Sequence, residues 1–144
     1  MRLKIRTYAL MFSGALTLLL LSACGSGEEH PETVPVTGKV TFAGKPVPKG
    51  TITFQPDTGQ PAVGDIQSDG SYELSTFGEK DGAVLGHHKV MIISNTADPT
   101  MIPGSSPGYV KPKDIVPKKY NQLETSGLEA TVSKDKTAYD FDLK

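Results

Sequence analysis

Apolar and polar residues alternate along most of this chain. In "GTITFQP" Ile52 and Phe54 point one way, and Thr51 and Thr53 the other. Tyr72 and Leu74 share a side in "SYELST". So do His88, Val90 and Ile92 in "HHKVMIIS", Leu128, Ala130 and Val132 in "LEATV", and Tyr139, Phe141 and Leu143 in "AYDFDLK". Val36, Val40 and Phe42 keep one parity on either side of Gly38. A period of two with one apolar face predicts antiparallel strands, half-buried against a core. No segment sustains a 3.6-residue period. The one helical turn expected is "PKKYNQL", residues 117–123, with Pro117 at its first position.

Turn signals separate the strands. "AGKPVPKG", residues 43–50, carries two glycines and two prolines. "SDGS", residues 68–71, places Asp-Gly where a hairpin needs a positive φ. "EKDGAVLG", residues 79–86, is a longer connection. Residues 94–116 form a long loop with Pro99, Pro103, Pro107 and Pro112, which excludes a central strand. Short strands punctuated in this way predict an all-β sandwich.

The N-terminus follows a different rule. Arg2, Lys4 and Arg6 precede a largely apolar run, residues 8–21, which ends in Leu21-Ser22-Ala23-Cys24. Basic, apolar and small residues in that order describe a secretory signal. The run is shorter than the ~20 residues that span a bilayer core. Leu-Ser-Ala-Cys resembles the lipobox of bacterial lipoproteins, and Cys24 is the chain's only cysteine, so it has no disulfide partner within the chain. The resemblance implies that a diacylglyceryl group is placed on the Cys24 thiol, that the chain is cut before Cys24, and that the new amino group is acylated, typically with palmitate. Two or more acyl chains anchor a protein stably in a bilayer. Gly25 stands where an aspartate would retain such a protein in the inner membrane, which points to the outer membrane.

The expected organisation is a signal over residues 1–23, the lipidated cysteine and a polar tether over 24–32, and one domain over 33–144. Once the signal is removed, twelve lysines face sixteen acids, a net charge of −4. That balance argues against a nucleic-acid surface.

The order of "VTGKVTFAGKPVPKGTITFQP", "SDGSYELST" and "DGAVLGHHKVMI", followed by "PKKYNQLETSGLEATV" and "YDFDL", resembles the carboxypeptidase regulatory-like and transthyretin-like β-sandwich domains carried by small bacterial lipoproteins. The resemblance implies a seven-stranded Greek-key sandwich and no catalytic activity. Within it Gly38 permits a close approach or a bulge, Val47 tucks into the end of the sandwich, and His88 caps the core rim.

A catalytic inventory yields little. Transthyretin-like hydrolases use histidines, an arginine and a C-terminal Tyr-Arg-Gly-Ser. This chain ends "YDFDLK" and has no arginine after Arg6. His87 and His88 are strand neighbours facing opposite ways, so they do not converge on one metal. Asp65 and Asp69 in "DIQSDG" fit a hairpin turn and lack the ligand spacing of an EF-hand. No phosphate-binding Gly-Lys loop or serine nucleophile motif is present. No cofactor or metal is expected.

The remaining chemistry lies in "GYVKPKDIVPKKY". Lys111, Lys113, Lys118 and Lys119 accompany the single acid Asp114, with Tyr109 and Tyr120 alongside. Like charge on one loop attracts an anionic polymer or partner. The expectation is therefore a lipid-anchored, non-catalytic envelope protein with a structural or interaction role. Its partners would be the bilayer, through Cys24, and an envelope protein or glycan. The alternative is a small-molecule or carbohydrate-binding module, in which Tyr109 and Tyr120 would stack on a sugar. An envelope hydrolase is the least favoured reading.

Overall fold

A computed structural model of the chain describes residues 30–98 and 100–144. The signal, Cys24 and the tether as far as Glu29 lie outside the described residues. Ten β segments form: β1 Thr33–Val34, β2 Thr37–Phe42, β3 Lys45–Pro46, β4 Gly50–Pro56, β5 Ala62–Ile66, β6 Ser71–Glu73, β7 Ala83–Val84, β8 Gly86–Ile93, β9 Leu128–Val132 and β10 Phe141–Leu143. Among the described residues the helical content is a 3-10 turn, Lys118–Asn121, and the four-residue helix α1, Leu123–Ser126. The fold is all-β.

One sheet runs β5-β4-β8-β9 and is antiparallel throughout. The second is built on β2, which pairs with β10 on one flank and with β3 and β6 on the other. β1 and β7 form a separate two-stranded ribbon. The β2–β10 pairing is parallel, with Phe141 beside Val40 and Leu143 beside Phe42. This corrects the antiparallel expectation for β10, because alternation of side chains is the same for either strand direction.

The alternation predicts the core. Val36, Val40, Ile52, Phe54, Tyr72, Leu74, Val90, Ile92, Ala130, Val132, Tyr139 and Leu143 are all buried in one cluster fed by both main sheets. Phe54 sits at its centre, with the rings of Tyr72, His88, Tyr139 and Phe141 at centroid distances of 5.9–6.3 Å. Burying each such side chain contributes about 1.5–3 kcal/mol. Val47 is also buried, so the proline turn does close one end of the core. His88 is not at the rim. It is 0% exposed against Phe54, and its Nε2 lies 2.8 Å from the Val84 carbonyl oxygen.

Gly38 allows the tyrosines that flank β2, Tyr72 on β6 and Tyr139 ahead of β10, to meet. The Tyr72 hydroxyl donates to the Tyr139 carbonyl at 2.5 Å directly over Gly38, where a Cβ would fall 1.9 Å from that oxygen. The "SDGS" hairpin closes as a three-residue loop. Gly70 N–H donates to Gln67 O, Gln67 N–H donates to Ser71 O, and Gly70 takes the positive φ of 81°. Asp69 Oδ1 accepts from the Ser71 amide and hydroxyl, and these bonds hold its carboxyl below the usual range.

The strand register places the chain's landmarks at two ends. β1, the β4–β5 turn, the start of β8 and the end of β9 lie together, as the Thr33–Val84 and Gly86–Val132 pairs require. At this end His30 stacks on Phe77 with centroids 4.2 Å apart, and Glu32 meets Lys134 at 2.6 Å. The folded domain thus engages residues ahead of Thr33. Loop 94–116 leaves the other end of β8, beside Lys49 and Gly50. Eight strand residues, about 25 Å, separate the two.

Candidate interaction surface

Loop 94–116 is a stalk with a tip. At its base Asn95 and Asp114 form an antiparallel bridge. Ile115 N–H donates to Ser94 O at 2.9 Å, and Thr96 N–H donates to Lys113 O at 2.9 Å. The Lys113 amide returns a bond to Thr96 Oγ1 at 2.9 Å. All four prolines fall outside these donor positions, so the rungs form despite them. Two bonds tie the stalk to the sandwich: Ser94 Oγ to Lys49 O at 2.5 Å, and Lys49 Nζ to Ala97 O at 3.1 Å.

The tip folds on local turns. Asp98 Oδ1 accepts from Thr100 Oγ1 at 2.7 Å and from the Thr100 amide at 2.9 Å, and these bonds lower its pKa. Ile102 N–H donates to Ser106 Oγ, the amides of Ser105 and Ser106 donate to Ile102 O, and Tyr109 N–H donates to Ser106 O. Thr96, Met101, Pro103, Tyr109, Val110 and Pro112 are among the residues that wall a cavity of about 260 Å³ inside the loop.

The structure sorts the expected site residues into three groups. Tyr109 is half-buried in that cavity wall, with Lys111 and Lys113 exposed just beyond it. Lys118 and Lys119 sit on the 3-10 turn, Lys118 at 3.9 Å from Asp114 and Lys119 Nζ at 4.7 Å from the Tyr120 ring centroid. Tyr120 is 5% exposed within the core cluster. Its hydroxyl donates to Lys144 O at 2.9 Å and accepts from Lys144 N at 3.0 Å. Tyr120 is therefore a core residue and does not contribute to a contact surface. The aliphatic residues of the tip, Met101, Ile102 and Val110, are all exposed and were missed by charge-based reading. Their signal was apolar identity inside a stretch that has no alternation to bury it.

No family model, curated protein or solved structure matches this chain.

Several other polar groups are engaged within the fold, whereas the buried His88 Nδ1 and Asn121 Oδ1 meet no hydrogen-bond partner among the described residues. His87 lies on the outer face of β8, with Nε2 3.4 Å from Glu129 Oε2 and Nδ1 3.5 Å from Asp57 Oδ1. The two carboxylates, Glu129 foremost, raise its pKa above 6.5. Asp81 closes a backbone nest by accepting from the amides of Thr76 at 2.7 Å and of Phe77 and Gly78 at 3.0 Å each. Burial pushes its pKa upward, but the three donors outweigh burial and the net shift is down. A shallow polar groove of about 980 Å³ follows the β5–β6 seam. Two of its lysines are spoken for, Lys80 by Glu73 at 3.0 Å and Lys39 by Asp69 at 3.8 Å. Among the described residues no group of three or more His, Cys, Asp or Glu is placed to hold a metal.

Proposed function

We propose that the chain is a lipid-anchored, non-catalytic β-sandwich protein of the bacterial envelope, acting structurally or as an interaction module toward another envelope component, a protein or a glycan. Acylation of Cys24 is supported by Leu21-Ser22-Ala23-Cys24 behind a basic and apolar leader, and Gly25 favours the outer membrane. Seven strands have three or more residues and group as β6-β2-β10 and β5-β4-β8-β9. That division, with the first and last of the seven side by side, supports the Greek-key, transthyretin-like reading.

The observation that carries the interaction role is the loop. It is stitched to the sandwich at its base, yet it holds its tip in solvent at the end opposite the one where the chain enters. A fold has no stability reason to build such a tip. Photocrosslinking from position 111 in intact cells tests the reading. Defined envelope partners should be captured, and capture should vanish when the loop is shortened between Ala97 and Tyr109. The circular dichroism spectrum should not change, since loop-closure entropy varies slowly with length. Full-strength capture after shortening refutes the loop as the contact surface. For the anchor, mass spectrometry of the native N-terminus should show acyl mass on Cys24, and Cys24→Ser should leave the precursor unprocessed.

A carbohydrate-binding role is the second reading, favoured by the cavity that Tyr109 walls, since aromatic rings stack on sugars. A glycan array probed with residues 30–144 separates it from a protein-contact role.

A further inference from the structure

Among the described residues the two most exposed large apolar side chains are Val110, 77% exposed, and Ile102, 63% exposed. Both lie on the tip of loop 94–116, with Met101 beside them at 38%. Lys111 and Lys113 follow Val110 closely, and their ammonium groups meet no carboxylate among the described residues. Asp114 is paired with Lys118, while Asp98, held by its bonds from Thr100, keeps its negative charge. The tip therefore presents bare aliphatic groups beside two lysines whose positive charge Asp98 offsets only in part.

We infer that this tip, formed by Met101, Ile102, Val110, Lys111 and Lys113, docks on an anionic lipid bilayer surface. The inference rests on the reading of the loop as a contact surface and names its partner. Aliphatic side chains lose water by entering the boundary between headgroups and acyl chains. Lysine stems lie along that apolar layer while their ammonium groups stay at the level of the phosphates. A glycan offers no apolar phase for Ile102 and Val110. The rungs at 94–96 and 113–115 hold the stalk in place before contact, so little ordering is lost on docking. The base of the loop is about 25 Å along β8 from the end where residues 30–34 enter the sandwich, so the tip is a contact apart from those residues.

Residues 30–144 hold every described strand and the whole core, and they lack Cys24, so no acyl chain confuses the result. Flotation with phosphatidylcholine vesicles, and with vesicles containing about one-third phosphatidylglycerol, tests the inference. Binding should require the anionic lipid and weaken with salt. Ile102→Ser and Val110→Ser should each weaken it about tenfold. Lys111→Gln and Lys113→Gln should each weaken it about fivefold. Lys89→Gln, on the outer face of β8, should leave it unchanged. All the substituted side chains are exposed, and matching circular dichroism spectra show that folding is retained. Absence of binding to anionic vesicles, or binding indifferent to all four tip substitutions, overturns the inference. If vesicle binding is absent while shortening the loop still abolishes cellular crosslinks, the lipid assignment falls and the contact-surface reading stands. If the crosslinks also survive shortening, both fall.

Discussion

Replacing Gly38 with alanine would place a methyl carbon 1.9 Å from the Tyr139 carbonyl oxygen and 2.8 Å from the Tyr72 hydroxyl. Ordinary contact begins near 3.4 Å, so β10 would have to retreat from β2 by about 1.5 Å. The retreat would pull apart the buried Tyr72–Tyr139 hydrogen bond and strain the neighbouring bond from Tyr139 N–H to Thr37 O, now 2.9 Å. Overpacking of this kind costs about 1–3 kcal/mol. A buried carbonyl that loses its partner costs about 1–3 kcal/mol more. Gly38→Ala should therefore destabilise the domain by about 2–6 kcal/mol, roughly 8–24 °C in Tm for a domain of this size. The chain has no tryptophan, so urea unfolding of residues 30–144 is best followed by circular dichroism. Tyr72→Phe is the companion measurement. It removes the hydroxyl without the clash and should cost about 1–2 kcal/mol. A Gly38→Ala cost below about 0.5 kcal/mol, or one no larger than that of Tyr72→Phe, would show that close approach at residue 38 is not what the glycine provides.

Ile52→Ala and Leu74→Ala, both at fully buried positions, should each cost about 2–5 kcal/mol in the same assay, and near-zero values would contradict the strand parity. Asp81→Asn should cost about 1–2 kcal/mol at neutral pH by weakening three amide-to-carboxylate bonds. Because the folded Asp81 pKa is depressed, its contribution is full above the ordinary carboxyl value of 3.8 and fades as pH falls through the folded value. Stability-versus-pH curves for the wild type and Asp81→Asn should therefore converge in acid, and parallel curves would rule out the carboxylate as the cause. His87 should titrate above 6.5 by NMR, and Glu129→Gln should bring it down. Its favourable charge pairing is full below 6.5 and is lost as pH rises through the folded value, so an unmoved titration in the Glu129 variant would count against the pairing.

Strand parity was legible because a pleated strand with one wet face enforces a period of two, and Ile52, Phe54, Val90 and Ile92 obey it. Strand direction was not legible, since Tyr139, Phe141 and Leu143 alternate in the same way whether β10 runs with or against β2. The two-residue strands β1 and β7 are too short to show any period. Alternation turned His88 inward correctly, whereas the family resemblance placed it at the core rim. The carbonyl of Val84 that lets its ring nitrogen sit inside comes from a neighbouring segment that local pattern does not reveal. At the loop, charge pointed to Lys111 and Lys113. Tyr120 differs because its hydroxyl is satisfied by Lys144 across the fold, a pairing without local signature. The rungs at 94–96 and 113–115 join residues about twenty positions apart, and proline content hid them.

The parallel seam between β2 and β10 has a mechanical meaning. The chain enters β2 at one end of the sandwich, and β10 runs beside it to finish at the other. A pull between those points slides the two strands along each other and does not peel them apart. The bonds joining residues 37–43 to residues 137–143, including Thr41 Oγ1 to Asp142 Oδ1 at 2.8 Å and the Lys39 amide to Asp140 Oδ1 at 2.8 Å, then share the load together. A domain pulled between its entry to β2 and the end of β10 is thus loaded in shear along its longest-range strand pairing, where the bonds must give way together.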